Sequence, residues 1–403
     1  MILNIAEIIF IIIQVIFAVY LLLPGFLLLV HYIIKPFSGT NYKSHKKKVD
    51  KDFDFAAIVT AHQDTRFIAP LVDSFLKQTY HKFKLYVVAD DCDISGLNFN
   101  DERIVILKPE PALHAKIKSI RHSVNNFHRP HDVMIIFDSD NLVHPEYLEV
   151  LNHYFQRGYR AVQTHMLSKN FDTVYAKLDS VGHIFNNFTE RTSRMDMGFS
   201  SCILGLGIAV ETKLYGEIMY KDGLGGFDKK LQAEMIKKIP KLAFAEEAIV
   251  YDEKVDDGKT LERQRTRWIH AYFKYFNDNW KILLAGLKGF NLNRIYFGFA
   301  ALRPPLFITL GAGLLFLVVN LFLDTSMALA WTAVITLFIL SFVLIVISQS
   351  RQKGMASALF YIPVFVMRQV IALLNMKKAS RSFLKTEHTR VIYIEDLLKN
   401  EMV

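Results

Sequence analysis

The sequence predicts an α/β domain built on a parallel sheet, with membrane-spanning helices at both ends of the chain. Three observations lead to this prediction. Short apolar runs alternate with helical patterns in the middle of the chain, acidic clusters directly follow two of these runs, and long charge-free stretches lie before and after them. With 403 residues, of which 52% are hydrophobic and 22% charged, the chain can form two compact units and is too apolar to be disordered.

The first charge-free stretch predicts a transmembrane anchor at residues 1–34. From Ile8 to Ile34 there are 27 residues without Asp, Glu, Lys or Arg, and a helix needs only ~20 to cross a bilayer. The alternative is a signal peptide. It fits poorly, because the run is too long and lacks a basic start and a small-residue cleavage site.

Two further charge-free stretches predict a transmembrane hairpin at residues 303–350. They run from Pro304 to Leu323 and from Thr325 to Ser350, and only Asp324 separates them. So short a connection is typical of two antiparallel helices that leave and re-enter the same side of the membrane.

Met355–Met376 is apolar but is interrupted by Pro363 and Arg368. We expect an interfacial or re-entrant helix there, within a C-terminal region at 351–403. The alternative is a fourth span, which would place the basic residues after it on the outer side, against the positive-inside rule. These basic residues are Lys377, Lys378, Arg381 and Lys385.

The distribution of charge predicts the orientation. Residues 35–51, a basic linker, carry six Lys and one Asp, and residues 351–403 carry nine Lys or Arg and four Asp or Glu. Basic segments beside membrane spans lie in the cytoplasm, so we expect a multi-pass protein of the plasma (inner) membrane with a cytosolic domain at 52–265. The lysines of the linker are Lys35, Lys43, Lys46, Lys47, Lys48 and Lys51. Residues 52–295 hold 32 basic and 32 acidic side chains, which argues against binding to nucleic acid.

The elements of the predicted domain follow from periodicity. We expect strands at Phe53–Thr60, Leu85–Ala89, Ile104–Leu107 and Val133–Phe137, and helices at Ile68–Gln78, Ala112–Asn125 and near His144–Arg157. Beyond the domain, residues 266–302 are expected to form interfacial amphipathic helices. Trp268–Phe290 alternates aromatic residues with lysines, which favours one amphipathic helix on the inner leaflet over the alternative of core packing.

Acidic residues directly follow two of the predicted strands. Leu85–Ala89 leads into Asp90-Asp91, and Val133–Phe137 leads into Asp138-Ser139-Asp140. Ligands of open parallel sheets bind beyond the carboxyl ends of the strands. Carboxylates together with phosphate oxygens are the ligands that Mg²⁺ or Mn²⁺ prefers, so we expect Asp138 and Asp140 to bind the metal of a diphosphate. The alternative is that they only cap the following helix.

Two motifs resemble those of a known family. Asp138-Ser139-Asp140 resembles the metal-binding Asp-x-Asp of nucleotide-sugar transferases, and Gln264-Arg265-Thr266-Arg267-Trp268 resembles the Gln-x-x-Arg-Trp of the membrane-bound family-2 glycosyltransferases. That family includes cellulose, chitin and hyaluronan synthases and ceramide glucosyltransferase. The resemblance covers roughly residues 50–350 and implies a nucleotide-sugar-binding, Rossmann-like domain of the glycosyltransferase A type.

The resemblance also implies roles for single residues. Those expected at the donor are Asp64 in the first nucleotide loop, Asp90 at the uracil ring, Lys116 near the nucleotide, and Asp138 and Arg267 at the diphosphate. Those expected at the acceptor are Gly205, Gly207, Gln264 and Trp268. Two alternatives stay open: Lys116 as a solvated helix residue, and Arg267 with Trp268 as interfacial anchors.

The catalytic base implied by the resemblance is Asp228, in the stretch Gly225-Gly226-Phe227-Asp228. Here the sequence departs from the family, because Phe227 stands where a Glu usually precedes the base. Glu246 and Glu247 are the alternative bases. The 14 histidines show no spacing typical of a metal site, and His122, His128 and His131 are expected in loops or at the surface.

The implied reaction is inverting transfer of a sugar from a UDP-sugar to a carbohydrate or lipid hydroxyl. We expect polysaccharide synthesis in contact with membrane lipid, with single-sugar transfer to a lipid as the alternative. A catalytically silent synthase subunit is a third interpretation, suggested by Phe227. Three predicted spans are few for a channel, so polysaccharide export would call for a partner subunit or a homo-oligomer.

Overall fold

The computed structural model describes residues 5–36, 50–218, 226–351, 355–376 and 388–401. Several residues that entered the sequence predictions lie outside these ranges: Lys43, Lys46, Lys47, Lys48, Gly225, Lys353, Lys377, Lys378, Arg381 and Lys385. The described residues divide into two compact units. The helical unit draws on Met1–Ser38, Val174–Phe199 and Asp256–Leu384, and the sheet unit draws on Gly39–Thr173, Ser200–Val255 and Lys385–Val403.

The strands are β1 Phe55–His62, β2 Phe83–Asp90, β3 Ile104–Leu107, β4 Val133–Asp138, β5 Leu142–Val143, β6 Ala161–Ser168, β7 Ile208–Glu211 and β8 Ala243–Asp252. The helices are α1 Ile5–Ile34, α2 Ile68–Leu76, α3 Lys116–Asn125, α4 Tyr147–Gln156, α5 Val174–Asn187, α6 Ser193–Asp196, α7 Thr212–Ile218, α8 Phe227–Lys238, α9 Gly258–Lys274, α10 Phe276–Lys288, α11 Leu292–Ala301, α12 Leu306–Leu323, α13 Thr325–Gln349, α14 Ile362–Leu374 and α15 Ile394–Glu401. A π-helical turn, Phe188–Thr192, joins α5 to α6, and a 3₁₀ segment, Met355–Tyr361, precedes α14.

Within the described residues, the eight strands form one sheet in the order β3-β2-β1-β4-β7-β6-β8-β5. The half that the sequence predicted, β3-β2-β1-β4, is parallel throughout. The predicted parallel sheet is confirmed for these four strands; beyond them the sheet is mixed, because β7 runs antiparallel to both β4 and β6, and β5 runs antiparallel to β8. The apolar runs that predicted the sheet end at residue 137, and every antiparallel pair involves a strand beyond it.

The predicted strands are confirmed, and their composition explains their place. Val133 to Phe137 of β4 are fully buried, as are Phe55 to Val59 of β1. A continuous run of apolar residues suits a central strand of a sheet that is covered on both faces. The aligned ends follow from the register, in which Thr60 of β1 pairs with both Val88 and Asp138.

The other half of the sheet brings a second acidic segment to the same edge. Leu142 of β5 pairs with Tyr251 of β8. The turn that carries Asp140 and the end of β8 at Asp252 therefore lie side by side, and Asn141 donates a hydrogen bond to Asp252 Oδ1 at 3.1 Å. Two motifs that are more than a hundred residues apart in sequence form one acidic cluster.

Among the residues that the structure describes, the helical unit has four helices that are long and apolar enough to span a membrane: Ile5–Ile34, Leu306–Leu323, Thr325–Gln349 and Ser357–Leu374. The first three match the predicted anchor and hairpin. Asp324 begins the second hairpin helix by accepting the backbone N–H groups of Ser326 and Met327, as an N-terminal cap does. The fourth lies where the sequence favours an interfacial or re-entrant helix over a span.

A buried polar cluster joins the first helix of this unit to the hairpin. Gln14 Oε1 of α1 accepts a hydrogen bond from Asn320 Nδ2 of α12 at 2.7 Å and another from Trp331 Nε1 of α13 at 2.6 Å. Around it, Leu21, Phe316 and Phe338 contribute to an apolar core. One amide side chain thus links three apolar helices.

The prediction of a single amphipathic helix over Trp268–Phe290 was wrong. The structure has α9 and α10 there, separated at Tyr275, whose ψ of 11° departs from helical geometry. The second helix packs closely on α11: a Cβ on Gly286 would lie 2.6 Å from the backbone N of Ile295.

Candidate active site

The Asp-x-Asp motif lies at the carboxyl end of β4. Asp138 is the last residue of the strand, and its backbone N–H donates to Asn141 Oδ1 at 3.0 Å, which holds the turn. The Asp138 side chain is 38% exposed, whereas that of Asp140 is buried. Burial raises the pKa of the Asp140 carboxyl, because the charged form loses its hydration, and nearby His388 and Lys169 only partly offset this.

Lys116 connects this motif to the glycine-containing loop. Its Nζ lies 2.5 Å from Asp138 Oδ1 and 2.9 Å from the carbonyl oxygen of Gly205. Lys116 begins α3, so the backbone of the helix fixes where its side chain starts. The interpretation of Lys116 as a solvated helix residue is therefore wrong, since its ammonium group is engaged at the candidate site.

The glycines of the loop differ in what they require. Gly207 has a φ of +63°, and a Cβ placed on it would lie 2.4 Å from Thr164 Oγ1, which itself donates to the Gly207 carbonyl at 2.7 Å. Gly205 has open space where a Cβ would lie. Of these two positions, only position 207 thus requires a glycine because of its local backbone and packing.

The end of β8, with its Tyr251-Asp252-Glu253 sequence, lies beside the Asp-x-Asp motif. The Nζ of Lys254 is 2.9 Å from Asp252 Oδ2. Burial alone would raise the pKa of Asp252, but Lys254, His388 and Lys169 outweigh it, so that pKa lies below its usual value. Asp252 therefore contributes a negative charge to the acidic cluster.

Asp90 ends β2 and is buried. Its two carboxylate oxygens accept the backbone N–H groups of Leu113 at 2.6 Å and His114 at 2.7 Å. The carboxylate thereby orders the loop that leads to Lys116. Asp64 lies on the neighbouring loop and pairs with Arg66, with 2.7 Å between Asp64 Oδ2 and Arg66 Nη2.

Sequence reasoning missed one grouping beside Asp90. Side-chain ligand atoms of His62, Asp90 and His114 all lie within 4.8 Å of one another, a spacing that could hold a metal ion. His62 ends β1, and His114 has a φ of +50°, which turns the loop back toward the strand. The two histidines are 52 positions apart in sequence, so no local spacing could have indicated the cluster.

The candidate base Asp228 lies in the first turn of α8, which Gly226 enters with a φ of +72°. It is half-buried, and an acid in the first turn of a helix is favoured by the helix dipole. The preceding Phe227 places its ring 5.4 Å from Lys116 Nζ. Of the alternative bases, Glu247 accepts a hydrogen bond from the Tyr154 hydroxyl at 3.1 Å, and Glu246 is half-buried in the irregular part of β8.

The second motif belongs to the helical unit. Gln264, Arg267 and Trp268 lie on α9, which begins where Asp257 accepts the N–H groups of Lys259 and Thr260. Gln264 and Arg267 are half-buried, and Trp268 is 40% exposed.

Comparison with known proteins decides the family. The family described as glycosyltransferase like family 2 matches residues 53–271, more than half of the chain. The chain belongs to this family. The sheet unit accordingly has the Rossmann-like glycosyltransferase A fold that the resemblance implied, and the protein is a glycosyltransferase.

Solved structures that are similar to this glycosyltransferase share little sequence with it. The mannosyltransferase PcManGT from Pyrobaculum calidifontis, in complex with GDP-Man and Mn²⁺, is 14% identical; the match covers 84% of this chain and 99% of that one, with a TM-score of 0.46. S. aureus TarS 1–349 is 15% identical over 81% of this chain and 91% of that one, with a TM-score of 0.41. A longer S. aureus TarS structure is 12% identical over 60% and 54%, with a TM-score of 0.38. No curated protein matches the chain.

Proposed function

We propose that this glycosyltransferase transfers a sugar from a UDP-sugar to an acceptor hydroxyl with inversion, in polysaccharide synthesis at the membrane. The observation that carries the proposal is the contact of Lys116 with both Asp138 and Gly205. It unites the residues assigned to the diphosphate with the loop assigned to the acceptor, at the edge of the sheet where ligands of open α/β folds bind.

The acidic residues fit a divalent cation. Asp140 is buried beside Asp138, Asp252 and Glu253, and burial raises the pKa of Asp140. A cation would compensate this concentration of negative charge, and oxygen-rich sites suit Mg²⁺ or Mn²⁺. We assign Asp140 and Asp138 as the residues that would hold it. When bound, such an ion offsets the negative charge that the leaving diphosphate gains.

The remaining chemistry belongs to the chain itself. We assign Asp228 as the base, because an alcohol attacks the anomeric carbon effectively only when a carboxylate takes its proton. The bond to the diphosphate oxygen breaks on the opposite face, which inverts the configuration. Lys116 supplies positive charge at the leaving group, and Arg267 supplies more, while Gln264 and Trp268 bind the acceptor.

Two further parts of the proposal concern the membrane. The predicted anchor and hairpin, three spans in all, and the basic segments support a multi-pass protein of the plasma membrane with the sheet unit in the cytosol. The fourth apolar helix is not counted as a span, because residues 388–401 that follow it pack on the sheet unit. Three spans are few to enclose a channel, which favours the second candidate function, transfer of one sugar to a lipid, unless a partner subunit or a homo-oligomer completes the channel. The two functions differ in the length of the product.

The test measures the release of UDP by detergent-purified protein from a panel of UDP-sugars, with Mg²⁺ or Mn²⁺ present. Release of GDP from GDP-sugars is measured in parallel, to test donors without uridine. We expect release from one donor, and a loss of about 100-fold or more in kcat for Asp140→Asn. Asp101→Asn is the matched control, since it makes the same chemical change at an acid that pairs with the nearby Arg103, away from the Asp-x-Asp motif. Sizing the product separates polymer from glycolipid. Full activity of Asp140→Asn would contradict the mechanism, and no release from any donor would favour the silent subunit.

A further inference from the structure

Two histidines converge on Asp90 where β1 and β2 end. His62 is the last residue of β1 and pairs in register with Asp90, the last residue of β2. His114 lies in the loop before α3, and its backbone N–H donates to Asp90 Oδ2 at 2.7 Å. The strand register thus fixes one histidine beside the carboxylate, and a hydrogen bond to that carboxylate fixes the other. The Asp90 side chain is buried, whereas that of His62 is 34% exposed and His114 is exposed, so solvent reaches the group from the histidine side.

The two imidazole rings have the separation expected of two ligands of one ion. The ring centres of His62 and His114 lie 5.3 Å apart, and the ring planes are at 89° to each other. A Zn–N bond of about 2.1 Å, with about 1.1 Å more from the nitrogen to the ring centre, places each ring centre about 3.2 Å from the ion. Two rings at a tetrahedral angle then have centres about 5.2 Å apart. The observed separation is close to this value.

The Asp90 carboxylate also lies at the distance of a further ligand. His62 Nδ1 is 3.3 Å from Asp90 Oδ2, and two ligands bound at about 2.0–2.2 Å to a tetrahedral ion lie roughly 3.3–3.6 Å apart. Side-chain ligand atoms of all three residues lie within 4.8 Å of one another. Both Asp90 oxygens accept backbone N–H groups, but each carboxylate oxygen has a second lone pair that can bind an ion.

The alternative is that His62 only forms a hydrogen bond. Its Nδ1 lies 3.1 Å from the Asp90 carbonyl oxygen, which can only accept, so without an ion Nδ1 carries the proton. A neutral imidazole that carries its proton on Nε2 instead offers the Nδ1 lone pair to a cation. The hydrogen bond accounts for the position of His62, but not for the perpendicular approach of the exposed His114 ring. A shared ion accounts for both.

We propose that His62, Asp90 and His114 bind Zn²⁺ or a similar d-block divalent ion, at a site with ligands different from those of the Asp138–Asp140 cluster. Imidazole nitrogen suits these ions, whereas Mg²⁺ is bound through oxygen. Three protein ligands leave one position of a tetrahedral ion open to water. Because Asp90 is the residue assigned to the base of the donor, the ion and the base compete for one carboxylate, and the bound ion inhibits the transferase. This inhibition rests on the proposed function, whereas binding of the ion does not.

The test is a titration of the detergent-purified full chain with Co²⁺, a coloured substitute for Zn²⁺, without donor or acceptor. Excess Mg²⁺ is present to fill the oxygen-rich Asp138–Asp140 cluster. We expect one Co²⁺ per chain with the visible absorption of a four-coordinate ion, which added Zn²⁺ removes. Loss of even an outer-shell partner lowers metal affinity about 10- to 100-fold, so His62→Asn and His114→Asn should each lower Co²⁺ affinity about 10-fold or more. His81→Asn is the matched control, because His81 is exposed in the loop before β2.

Thermal unfolding without metal shows whether each variant is folded, and His114→Asn changes only an exposed side chain. Wild-type Co²⁺ affinity in either folded histidine variant would overturn the site. A wild-type chain that binds no Co²⁺ in the presence of Mg²⁺ would overturn it as well.

A second measurement tests the consequence for the donor. Zn²⁺ should inhibit nucleotide release in competition with the donor, and His114→Asn should require about 10-fold more Zn²⁺ for the same inhibition. Equal Zn²⁺ inhibition constants for His114→Asn and wild type would overturn the competition. Because the Co²⁺ titration contains no sugar, its outcome is separate from the proposed function. A chain that binds Co²⁺ through the two histidines but releases no nucleotide from any donor would contradict only the proposed function.

Discussion

The guanidinium carbon of Arg265 lies 4.2 Å from the centre of the Trp268 ring, and its Nη2 donates to the buried carboxylate of Asp179. Arg265 is the second residue of the Gln264–Trp268 motif and is itself buried. Burial lowers the pKa of Arg265, because the charge loses hydration that Asp179 only partly replaces. The indole therefore has one face occupied by a fixed cation while 40% of it stays exposed.

We expect Arg265→Lys to weaken acceptor binding. Lysine cannot keep a flat contact on the indole and a directed bond to Asp179 together. A buried cation–π contact contributes about 1–2 kcal/mol, so the acceptor KM should rise about 5- to 30-fold, with a smaller change in kcat. Arg263→Lys on the same helix is the control, since Arg263 is half-buried and donates to Thr260. Equal acceptor KM values for the two variants would exclude the role of the stacked pair.

The two glycines of the loop provide a matched pair of substitutions. Gly207→Ala should lower the thermal unfolding temperature, because alanine resists a φ of +63° and its Cβ would clash with Thr164 Oγ1. The cost of holding the left-handed backbone alone is about 1–2 kcal/mol. Gly205→Ala should leave unfolding unchanged, since its Cβ meets open space. If Gly205 lines the acceptor site, that variant loses activity while keeping full stability; unfolding curves that shift equally would refute this distinction.

Lys116→Met should impair use of the donor. It removes two contacts, with Asp138 and with the Gly205 carbonyl, and leaves a carboxylate without its cation. A hydrogen bond to a charged group contributes about 1.5–3 kcal/mol, so kcat/KM for the donor should fall about 10- to 150-fold. Lys118→Met, at an exposed position of the same helix, is the control. Steady-state kinetics with varied donor decide the outcome, and wild-type kcat/KM in Lys116→Met would show that these contacts are only structural.

His131 lies in the loop before β4, as expected, but its side chain is fully buried. The Tyr86 hydroxyl accepts the backbone N–H of His128 at 3.0 Å and lies 2.9 Å from His131 Nε2. If Tyr86 gives its proton to Nε2, Nδ1–H is left to donate to Asp54. In this arrangement both ring nitrogens of the neutral imidazole have a hydrogen-bond partner.

Burial lowers the pKa of His131 below its usual 6.5, although Asp54 opposes the shift. His131 therefore binds a proton near pH 6.5 in the unfolded chain, whereas in the folded chain it binds that proton only at lower pH. The contribution of neutral His131 to the free energy of unfolding is complete above pH 6.5. It decreases as the pH falls below that value, by at most about 1.4 kcal/mol per pH unit. Unfolding in detergent between pH 7.5 and 5 should show a weaker dependence for His131→Asn than for wild type. His81→Asn should keep the wild-type slope; a parallel slope for His131→Asn would contradict the assignment.

The sequence was sufficient to predict where the parts of the candidate site that directly follow an apolar strand would lie. The buried run from Val133 to Phe137 predicted the strand, and a strand end directed Asp138 to the ligand edge of the sheet. The sequence could not indicate His388, because docking of α15 on β5 and β8 brings it to Asp140 across 248 positions. For the same reason the antiparallel β7 was missed: its four residues show too short a pattern, and its pairing with β4 is decided by tertiary packing.

The hydrogen bond between Gln14 and Trp331 has a consequence for biosynthesis. The two residues are 317 positions apart, and a ribosome that adds about 5–20 residues per second needs roughly 15–60 s to synthesise that interval. In the proposed topology, α1 would therefore lie in the membrane for this time before the chain segment that contains the hydrogen-bond partner of Gln14 has been synthesised. Assembly of the helical unit is thus a late event, which begins only after the chain for most of the sheet unit has left the ribosome.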